Sequence, residues 1–305
     1  MNELSVPVFN IVHGSTVDGW GVRTTVFLKG CPLRCKWCCN PEGQHSFVEL
    51  KYIEEDCTGC GNCLPTCKKG AISLSEGDTG KAIIDRQLCD NCGACIELCY
   101  AGAMDVFGKP YTVDSLFREI EKDQSYFGDD GGVSIGGGEA TLHPEFTLAL
   151  IKKCQDAYIH TALDTCGYIT TDKGMQCLQE ADLVLFDIKG LVPDIHMEGT
   201  GVDNAIILEN LLYRNSLGKE MILRLPLIPG YTDSPENLEK EAELITNLET
   251  VKRVDLIPFH KYAEAKYRQL GWELPEVFAE DFSQEREQPT LDFFLKYGIN
   301  TQIGG

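Results

Sequence analysis

Eleven of the fifteen cysteines fall into three clusters whose spacings suit iron–sulfur chemistry. The first is a C-x3-C-x2-C triplet, and the other two are C-x2-C-x2-C-x3-C quartets, a spacing whose thiolates hold [4Fe–4S] clusters. The triplet is one thiolate short, so a cluster there would keep one iron without a protein ligand, and an open metal position is where chemistry can occur. Two closed clusters beside an open one predict a redox enzyme. The triplet is Cys31, Cys35 and Cys38; the quartets are Cys57, Cys60, Cys63 and Cys67, and Cys89, Cys92, Cys95 and Cys99.

A structural zinc site is the alternative interpretation of the triplet, with Cys39 as the fourth thiolate. Cys39 directly follows Cys38, so its side chain would have to fold back onto the same metal. The triplet also follows a predicted buried strand at 22–30 and lies at the mouth of the predicted barrel, where a structural zinc would stabilise little. Both points favour a cluster.

Length and charge limit the remaining possibilities. The 305 residues can bury a large core, and 43% apolar with 24% charged residues is ordinary for a soluble globular protein. A net charge of −20 argues against binding nucleic acids or anionic membranes. The N-terminus lacks a signal-peptide pattern, and no apolar run is long enough to span a membrane. Closely spaced cysteines suit metal sites better than disulfides, so we expect a cytoplasmic, reducing and anaerobic setting.

The two quartets belong to an internal repeat. CTGCGNCLPTCKKGAISL and CDNCGACIELCYAGAMDV align at every cysteine and at the following Gly-Ala step. Two such halves form a two-cluster ferredoxin module, which we place at 52–108 as an insertion. The rest of the chain, 1–51 and 109–305, is then one domain.

Strands and helices alternate outside the insertion. Segments separated by helical patterns of 10–15 residues indicate βαβ units and a parallel sheet. Six main strands predict an α/β fold, a partial (β/α)6 TIM-like barrel carrying an inserted α+β bacterial ferredoxin-like domain with two clusters. Glycines and polar residues gather at the carboxyl ends of the strands, which carry the active site in such barrels. The predicted strands are 22–30, 132–138, 160–165, 182–189, 221–228 and 253–260, with a short one at 299–303; the predicted helices are 144–157, 171–180, 203–217, 234–249 and 288–297.

Several motifs together resemble one family. The C-x3-C-x-Φ-C pattern with Trp37 is the signature of radical S-adenosylmethionine (SAM) enzymes, although a motif needs its structural context. The whole chain resembles the activating enzymes of glycyl radical enzymes, in particular the subgroup with a two-cluster ferredoxin insert. The motifs that carry the resemblance are DGWGVRTTVFLKGCPLRCKWCCNPEG, both quartets, GGGEA, LDTCG, FDIK, LRLPLIPGYTD and PFHKYAEAKY.

The resemblance implies a set of SAM contacts. The amino and carboxylate groups of SAM would chelate the free iron, with Trp37 near the adenine or simply packed in its loop. A glycine run lets a ligand approach the backbone, and a carboxylate can accept from the ammonium group of SAM. His260 matches a histidine near the nucleoside, although a single histidine at a strand end is often only hydrogen-bonded. The implied SAM-binding residues are Trp37, Gly137, Gly138, Glu139, Asp187, Lys189, Arg224 and His260.

The resemblance also implies a monovalent cation site beside the SAM carboxylate, as in the pyruvate formate-lyase activating enzyme. Its ligands would be Asp164, Thr165, Leu185 and Asp187, holding Na⁺ or K⁺. The alternative is that Asp187 and Lys189 form an ordinary ion pair.

The sequence departs from the family pattern in two places. The usual DGPG turn reads DGWG, which places Trp20 where the substrate peptide is expected, either tuning partner choice or covering the cluster. Lys68 and Tyr100 replace the prolines that usually end the quartets. The fourth cysteine of each quartet ligates the other cluster in two-cluster ferredoxins. This rule pairs Cys57, Cys60, Cys63 and Cys99, and Cys89, Cys92, Cys95 and Cys67; Cys154, Cys166 and Cys177 are predicted to be buried apolar residues.

The implied activity begins with an electron from reduced ferredoxin or flavodoxin, which passes through the insert to the open cluster. SAM is cleaved to methionine and a 5′-deoxyadenosyl radical, which removes a hydrogen from a glycine Cα of a separate glycyl radical enzyme. We expect three [4Fe–4S] clusters, a monomer, and an arylacetate decarboxylase or choline trimethylamine-lyase as partner, with diol dehydratases and C–S lyases still open. The rivals are a polyferredoxin-like electron carrier and a radical SAM enzyme acting on another peptide or a small molecule.

Overall fold

The structure, a computed structural model, describes residues 4–77 and 80–304. Thirteen strands and eight α-helices are assigned in these ranges. The strands are β1 (Ser5–Ser15), β2 (Arg23–Leu28), β3 (Glu49–Tyr52), β4 (Ile72–Leu74), β5 (Ala82–Ile84), β6 (Met104–Phe107), β7 (Lys109–Thr112), β8 (Gly132–Gly137), β9 (His160–Thr165), β10 (Leu183–Asp187), β11 (Met221–Leu227), β12 (Val251–Pro258) and β13 (Thr301–Ile303). The helices are α1 (Val113–Glu121), α2 (Pro144–Asp156), α3 (Asp172–Glu180), α4 (Pro193–Thr200), α5 (Ala205–Ser216), α6 (Pro235–Thr246), α7 (Glu264–Leu270) and α8 (Gln284–Lys296).

The main sheet is an open, mostly parallel barrel. Its order is β13-β12-β11-β10-β9-β8-β2-β1-β7, and the seven strands from β13 to β2 are parallel. β1 runs antiparallel to both β2 and β7. The predicted partial (β/α)6 barrel is confirmed, with β1 and β7 as an edge that the sequence analysis does not predict.

Local signals explain where the helices begin. The Thr171 and Ser234 hydroxyls accept from the backbone N–H three residues ahead, which caps α3 and α6. Proline occupies the first turn of α2, α4 and α6, where its missing N–H has no helical partner to lose. β10 is buried on both faces, as its unbroken apolar sequence predicts.

The insertion has its own small core between two strand pairs. β3 pairs with β6 and β4 pairs with β5, both antiparallel. The core residues are Leu50, Cys63, Ala82, Cys95 and Met104. β3 begins at Glu49, opposite Phe107, so the strand pair starts three residues before the predicted boundary at 52. In the two described ranges, no helix combines the length and the apolar character needed to cross a membrane.

Trp20 does not lie where the sequence analysis places it. Its ring packs on the inward-facing cluster formed by Ala162, Leu183, Leu185 and Ile222. The Arg253 guanidinium lies 4.6 Å from the ring centroid. These residues precede the strand ends, so Trp20 fills the barrel interior below the triplet. The predicted position over the cluster is therefore wrong.

We predict that Trp20→Ala destabilises the fold and leaves partner choice unchanged. The substitution removes core packing and the contact with Arg253. The free energy of unfolding should therefore fall by roughly 3 kcal/mol, the lower end of the range for such truncations. Chemical denaturation measures it, with Tyr126→Ala, at an exposed aromatic residue, as the control. Unchanged stability together with a selective loss of partner activation would restore the recognition role.

Candidate active site at the carboxyl ends of the strands

One cavity of about 200 Å³ opens at the carboxyl ends of the parallel strands. It collects residues from six of these strands or the loops that follow them, which is the expected position in a barrel. Most residues predicted for the site line it; Glu139 and Leu185 do not. The predicted residues on the cavity are Cys31, Cys35, Cys38, Trp37, Gly137, Gly138, Asp164, Thr165, Asp187, Lys189, Arg224 and His260.

Hydrogen bonds from both sides fix the triplet loop. The Cys31 N–H donates to the Gln44 carbonyl at 3.1 Å, and the Arg34 N–H donates to the Thr200 carbonyl at 2.7 Å. The Tyr267 hydroxyl donates to the Cys38 carbonyl at 3.2 Å. Backbone and side chain together therefore hold the three cysteines in place at the cavity.

The thiols of the triplet differ in acidity because their surroundings differ. Burial raises the pKa of Cys35 to about 12 and also raises the pKa of Cys38. A hydrogen bond with the Cys166 thiol lowers the pKa of Cys31, although burial opposes this. Metal binding requires thiolates and releases their protons. Among residues 4–77 and 80–304, no group of three or more His, Cys, Asp or Glu side chains is arranged closely enough to hold a single metal ion, as distinct from a cluster of several irons.

The glycines after β8 allow the backbones of two loops to touch. A Cβ at Gly137 would lie 2.3 Å from the Leu28 nitrogen, and one at Gly138 would lie 2.2 Å from the Gly30 oxygen. Gly137 also has φ of 119°, a conformation that other residues rarely adopt. Only glycine therefore brings the end of β8 against the loop that carries the triplet.

Glu139 is a buried anchor behind the cavity. Its N–H donates to the Gly30 carbonyl at 2.7 Å. Its carboxylate accepts from the Thr141 and Thr165 hydroxyls and from the Cys166 N–H, at 2.7 to 3.0 Å. In this structure the carboxylate fixes the end of β9, and its contact with the SAM ammonium stays a prediction.

Arg224 lies among three aspartates. Its Nη1 is 3.0 Å from Asp164 Oδ2, its Nη2 is 3.8 Å from Asp18 Oδ1, and its Nε is 3.8 Å from Asp187 Oδ1. Lys189 Nζ is 2.8 Å from Asp187 Oδ2, so the ion pair of the alternative interpretation is present. Three carboxylates and two cations leave one excess negative charge at this side of the cavity.

These neighbours move the carboxyl pKa values apart. Burial raises the pKa of Asp164 to about 7, although Arg224 opposes the shift. Burial also disfavours the Asp187 carboxylate, but Lys189 and Arg224 outweigh it and lower its pKa. Asp187 thus stays ionised near neutral pH, whereas Asp164 titrates there.

The residues predicted for a monovalent cation are only partly free to bind one. Asp164 and Asp187 face the cavity, but Arg224 lies between their carboxylates. The Thr165 hydroxyl donates to Glu139. The Leu185 side chain belongs to the apolar cluster under Trp20, so Leu185 could offer only its carbonyl.

Trp37 and His260 take different positions on the cavity wall. Trp37 is 6% exposed, and its ring centroid lies 5.2 Å from that of Tyr231, so it both packs in its loop and faces the cavity. His260 is exposed at the rim, where its ring lies 4.2 Å from the Tyr262 ring.

The sequence analysis misses two residues on the cavity. Asp18 comes from the DGWG turn and accepts from the Ser15 and Thr25 hydroxyls at 2.7 Å each. Cys166 is buried as predicted, but its thiol contacts that of Cys31. The signal in the sequence that could have assigned Cys166 to the cavity is its place in LDTCG, directly after a predicted strand.

The insert cysteines lie in surroundings that suit clusters. A cavity of about 20 Å³ is lined by Cys57, Cys60, Cys63 and Cys99. The Ala82 N–H donates to Cys57 Sγ at 3.5 Å and the Ala71 N–H to Cys67 Sγ at 3.2 Å. Backbone N–H bonds to thiolate sulfur are one means by which proteins tune such clusters. The residues present therefore fit the groups that the spacing implies.

Comparisons with known proteins agree with this geometry. The sequence model of the Radical SAM superfamily matches residues 95–242, and that of a 4Fe-4S dicluster domain matches residues 56–103. The structure of SuiB from Streptococcus suis bound to precursor peptide SuiA has a TM-score of 0.55 over 90% of this chain and 46% of that chain, at 12% identity. The latter likeness shows a shared fold. Fold and site together define a radical SAM enzyme.

Three relatives narrow the family. The chain is 40% identical over 279 residues to the choline trimethylamine-lyase activating enzyme of Oleidesulfovibrio alaskensis, with 90% of each chain covered. It is 35% identical over 309 residues to the 4-hydroxyphenylacetate decarboxylase activating enzyme of Clostridioides difficile, covering 99% of this chain and 97% of that one. It is 40% identical over 274 residues to the isethionate sulfite-lyase activating enzyme of Nitratidesulfovibrio vulgaris, with 88% of each covered. The chain therefore belongs to the activating enzymes of glycyl radical enzymes.

The raised pKa of Asp164 predicts a pH-dependent stability. Between the ordinary carboxyl pKa and about 7, the folded chain binds a proton that the unfolded chain has released, so stability falls as pH rises through this window. Asp164→Asn removes the titration. From about pH 5.5 to 7.5 the unfolding temperature of the wild type should fall relative to that of the variant. Parallel curves would contradict the shift.

Proposed function

We propose that this chain cleaves SAM at the triplet and removes a Cα hydrogen from a glycine of a partner glycyl radical enzyme. The observation that carries the proposal is the single cavity that joins three cysteines, a glycine-lined strand end and a cationic pair. When bound, SAM and the open cluster supply the reductive cleavage that produces a 5′-deoxyadenosyl radical.

The chain's own residues hold and orient these groups. Cys31, Cys35 and Cys38 would ligate three irons and leave the fourth for the amino and carboxylate groups of SAM. Arg224 and Lys189 offset the carboxylate, because a buried charge without a counter-charge is costly. Trp37 forms one wall, and His260 stands at the rim near the nucleoside. Gly137 and Gly138 line the cavity beside the triplet, where the methionine moiety would lie.

The excess negative charge near Arg224 gives a cation a physical role. A SAM carboxylate would add to the charges of Asp18, Asp164 and Asp187. Either a proton on Asp164 or a monovalent cation, Na⁺ or K⁺, would reduce this repulsion. For the cation to bind, the Arg224 side chain would have to move from its present contact with Asp164.

The insert would deliver electrons through two further [4Fe–4S] clusters, so the chain would hold three. We assign Cys57, Cys60, Cys63 and Cys99 to one, and Cys89, Cys92, Cys95 and Cys67 to the other. A ferredoxin or flavodoxin would be the donor, in an anaerobic cytoplasm, and the enzyme would act as a monomer. The insert is proposed to form a domain at 52–108 within a barrel domain of 1–51 and 109–305.

The partner is proposed to be a choline trimethylamine-lyase or an arylacetate decarboxylase. The support is similarity to activating enzymes named for choline trimethylamine-lyase and 4-hydroxyphenylacetate decarboxylase. The relative named for isethionate sulfite-lyase is equally similar, at 40% identity, so a C–S lyase is the second candidate. Incubating the enzyme with purified partners of each kind and measuring the glycyl radical formed on each would distinguish these candidates.

Isotope transfer tests the proposed reaction. A primary carbon radical is less stable than a glycyl radical flanked by amide and carbonyl groups. Hydrogen transfer from the glycine Cα to the 5′-deoxyadenosyl radical is therefore favourable. Deuterium at the partner's glycine Cα should appear in 5′-deoxyadenosine, measured by mass spectrometry, and a persistent radical should remain on the partner. Deuterium arriving from a free small molecule, with no protein radical, would favour the small-molecule rival.

Iron content tests the cluster assignment. Anaerobic reconstitution should load roughly twelve irons, four for each of three cubanes. Replacing Cys31, Cys35 and Cys38 together with alanine should remove about a third of them while the insert clusters persist. Iron and zinc are measured in the same samples. Zinc in the wild-type triplet would support the structural alternative.

A further inference from the structure

We propose that the cluster of the second quartet, held by Cys89, Cys92 and Cys95 with Cys67, passes electrons directly to the open cluster. The cluster of the first quartet is the entry point, and Arg86 is a positioning residue that fastens the relay cluster against helix α7. The inference rests on the proposed electron-delivery role of the insert and adds an order to it.

Strand β3 leads from the triplet loop into the insert. At its start, Glu49 Oε2 lies 2.9 Å from Lys29 Nζ, and Lys29 stands two residues before Cys31. This pair is almost fully enclosed, with side-chain exposures of 0% and 8%. A buried ion pair with its partners in place resists displacement. The start of β3 is therefore fixed beside the triplet.

The two quartets meet β3 at different residues. The Leu50 N–H donates to Asn91 Oδ1 at 2.9 Å, and Asn91 lies between Cys89 and Cys92. The Tyr52 hydroxyl, two residues further along, lies near Cys57, and burial together with this neighbour raises the pKa of Tyr52. A strand advances about 3.3 Å per residue. Moving outward from the triplet, β3 therefore meets the second quartet before the first.

Helix α7 forms a second bridge between the triplet loop and the insert. Lys266 Nζ donates to Asn40 Oδ1 at 2.7 Å and pairs with Glu42 at 2.7 Å, within the loop that follows the triplet. The Tyr267 hydroxyl reaches the Cys38 carbonyl. One turn of helix thus touches the triplet directly.

Arg86 joins this helix to strand β3 at Leu50, the residue that also bonds Asn91 of the second quartet. Its Nη2 donates to the Gln269 carbonyl at 2.7 Å, and its Nη1 donates to the Leu50 carbonyl at 2.6 Å. Burial lowers the pKa of Arg86, and attraction by Cys89, Glu49 and Cys95 opposes that shift. The guanidinium thus adds positive charge beside the second-quartet cluster while it binds α7.

Aromatic packing fills the junction between these two bridges. The His45 ring lies 5.1 Å from the Trp272 ring, and its Nδ1 lies 2.8 Å from Glu49 Oε1. The Trp272 ring in turn lies 6.3 Å from that of Tyr267. Electron tunnelling slows steeply with distance and with gaps in the intervening matter. This junction packs the triplet loop against α7 and the start of β3, and β3 in turn bonds Asn91 of the second quartet. The packed, bonded path therefore favours the second quartet as the relay.

The electron balance is simple. One electron leaves the reduced second-quartet cluster, which becomes oxidised, and reduces the open cluster. That electron is consumed when one sulfonium C–S bond of SAM breaks. A low-potential one-electron protein carrier then restores the relay by way of the first-quartet cluster.

A matched pair of variants tests the order. Cys60→Ala and Cys92→Ala remove the second cysteine of each quartet, and both residues are exposed. Pulsed electron paramagnetic resonance on the reduced, reconstituted enzymes measures dipolar coupling between the open cluster and the insert cluster that remains. The coupling should be stronger in Cys60→Ala, because the second-quartet cluster is then the one retained. The opposite order, in variants whose iron content shows two intact clusters, would overturn the proposal.

Freeze-quench spectra after mixing with SAM separate this order from the proposed function. The signal of the remaining insert cluster should decay at the wild-type rate in Cys60→Ala and at least tenfold more slowly in Cys92→Ala. Decay at the wild-type rate in Cys92→Ala, together with slower decay in Cys60→Ala, would overturn the relay assignment. If the couplings have the expected order but no insert signal decays with SAM, the geometry stands and electron delivery by the insert is refuted.

Arg86 is tested without touching a cysteine. Arg86→Gln removes a positive charge and should lower the reduction potential of the second-quartet cluster alone, while Arg86→Lys should restore the potential in part. Although the lower potential raises the driving force, loss of the bond to α7 should slow the decay several-fold. Lys81→Gln is the matched control, because Lys81 lies near Cys57 and should shift the first-quartet potential instead. Equal shifts of both clusters in Arg86→Gln would contradict the assigned role.

Discussion

The close approach of two loop backbones holds the active site together. Gly138 donates to the Leu28 carbonyl and Glu139 donates to the Gly30 carbonyl, at 2.8 and 2.7 Å. These bonds join the end of β8 to the loop that carries the triplet, and a side chain at Gly137 or Gly138 would prevent them. The cavity, the triplet and the anchor provided by Glu139 all depend on this contact.

Charged groups at the neighbouring strand ends gather around Arg224. The parallel register puts Asp187 opposite Arg224 and Leu185 opposite Asp164. Asp164 therefore lies one inward-facing position earlier than the other two, and the long Arg224 side chain spans this step to reach it at 3.0 Å. Asp18 joins them from a turn that also carries Trp20. The same turn therefore packs the lower barrel interior and contributes a carboxylate to the cavity floor, which links the stability of the fold to the electrostatics of the site.

Much of the fold and of the active site could be predicted from the sequence, because the patterns that indicate them involve residues close together in the chain. Cysteine spacing, the apolar run of β10 and the glycines after β8 each follow from the chemistry of neighbouring residues. The position of Trp20 could not, since it depends on how a loop returns into the barrel interior. The anchoring role of Glu139 and the contact of Cys166 with Cys31 also needed the packing of β9 against the triplet loop. β1 and β7 were not predicted because their sequences carry little apolar pattern: β1 is buried at only a few positions and the edge strand β7 at none.

The central claim is that the triplet holds a cluster whose open iron binds SAM in this cavity. Electron–nuclear double resonance on the reduced enzyme, with SAM labelled by ¹⁵N in its amino group and ¹⁷O in its carboxylate, tests it directly. The account predicts hyperfine coupling of both labels to the cluster, lost when Cys31, Cys35 and Cys38 are replaced. Absence of coupling from either label in the wild-type enzyme with SAM bound would contradict it.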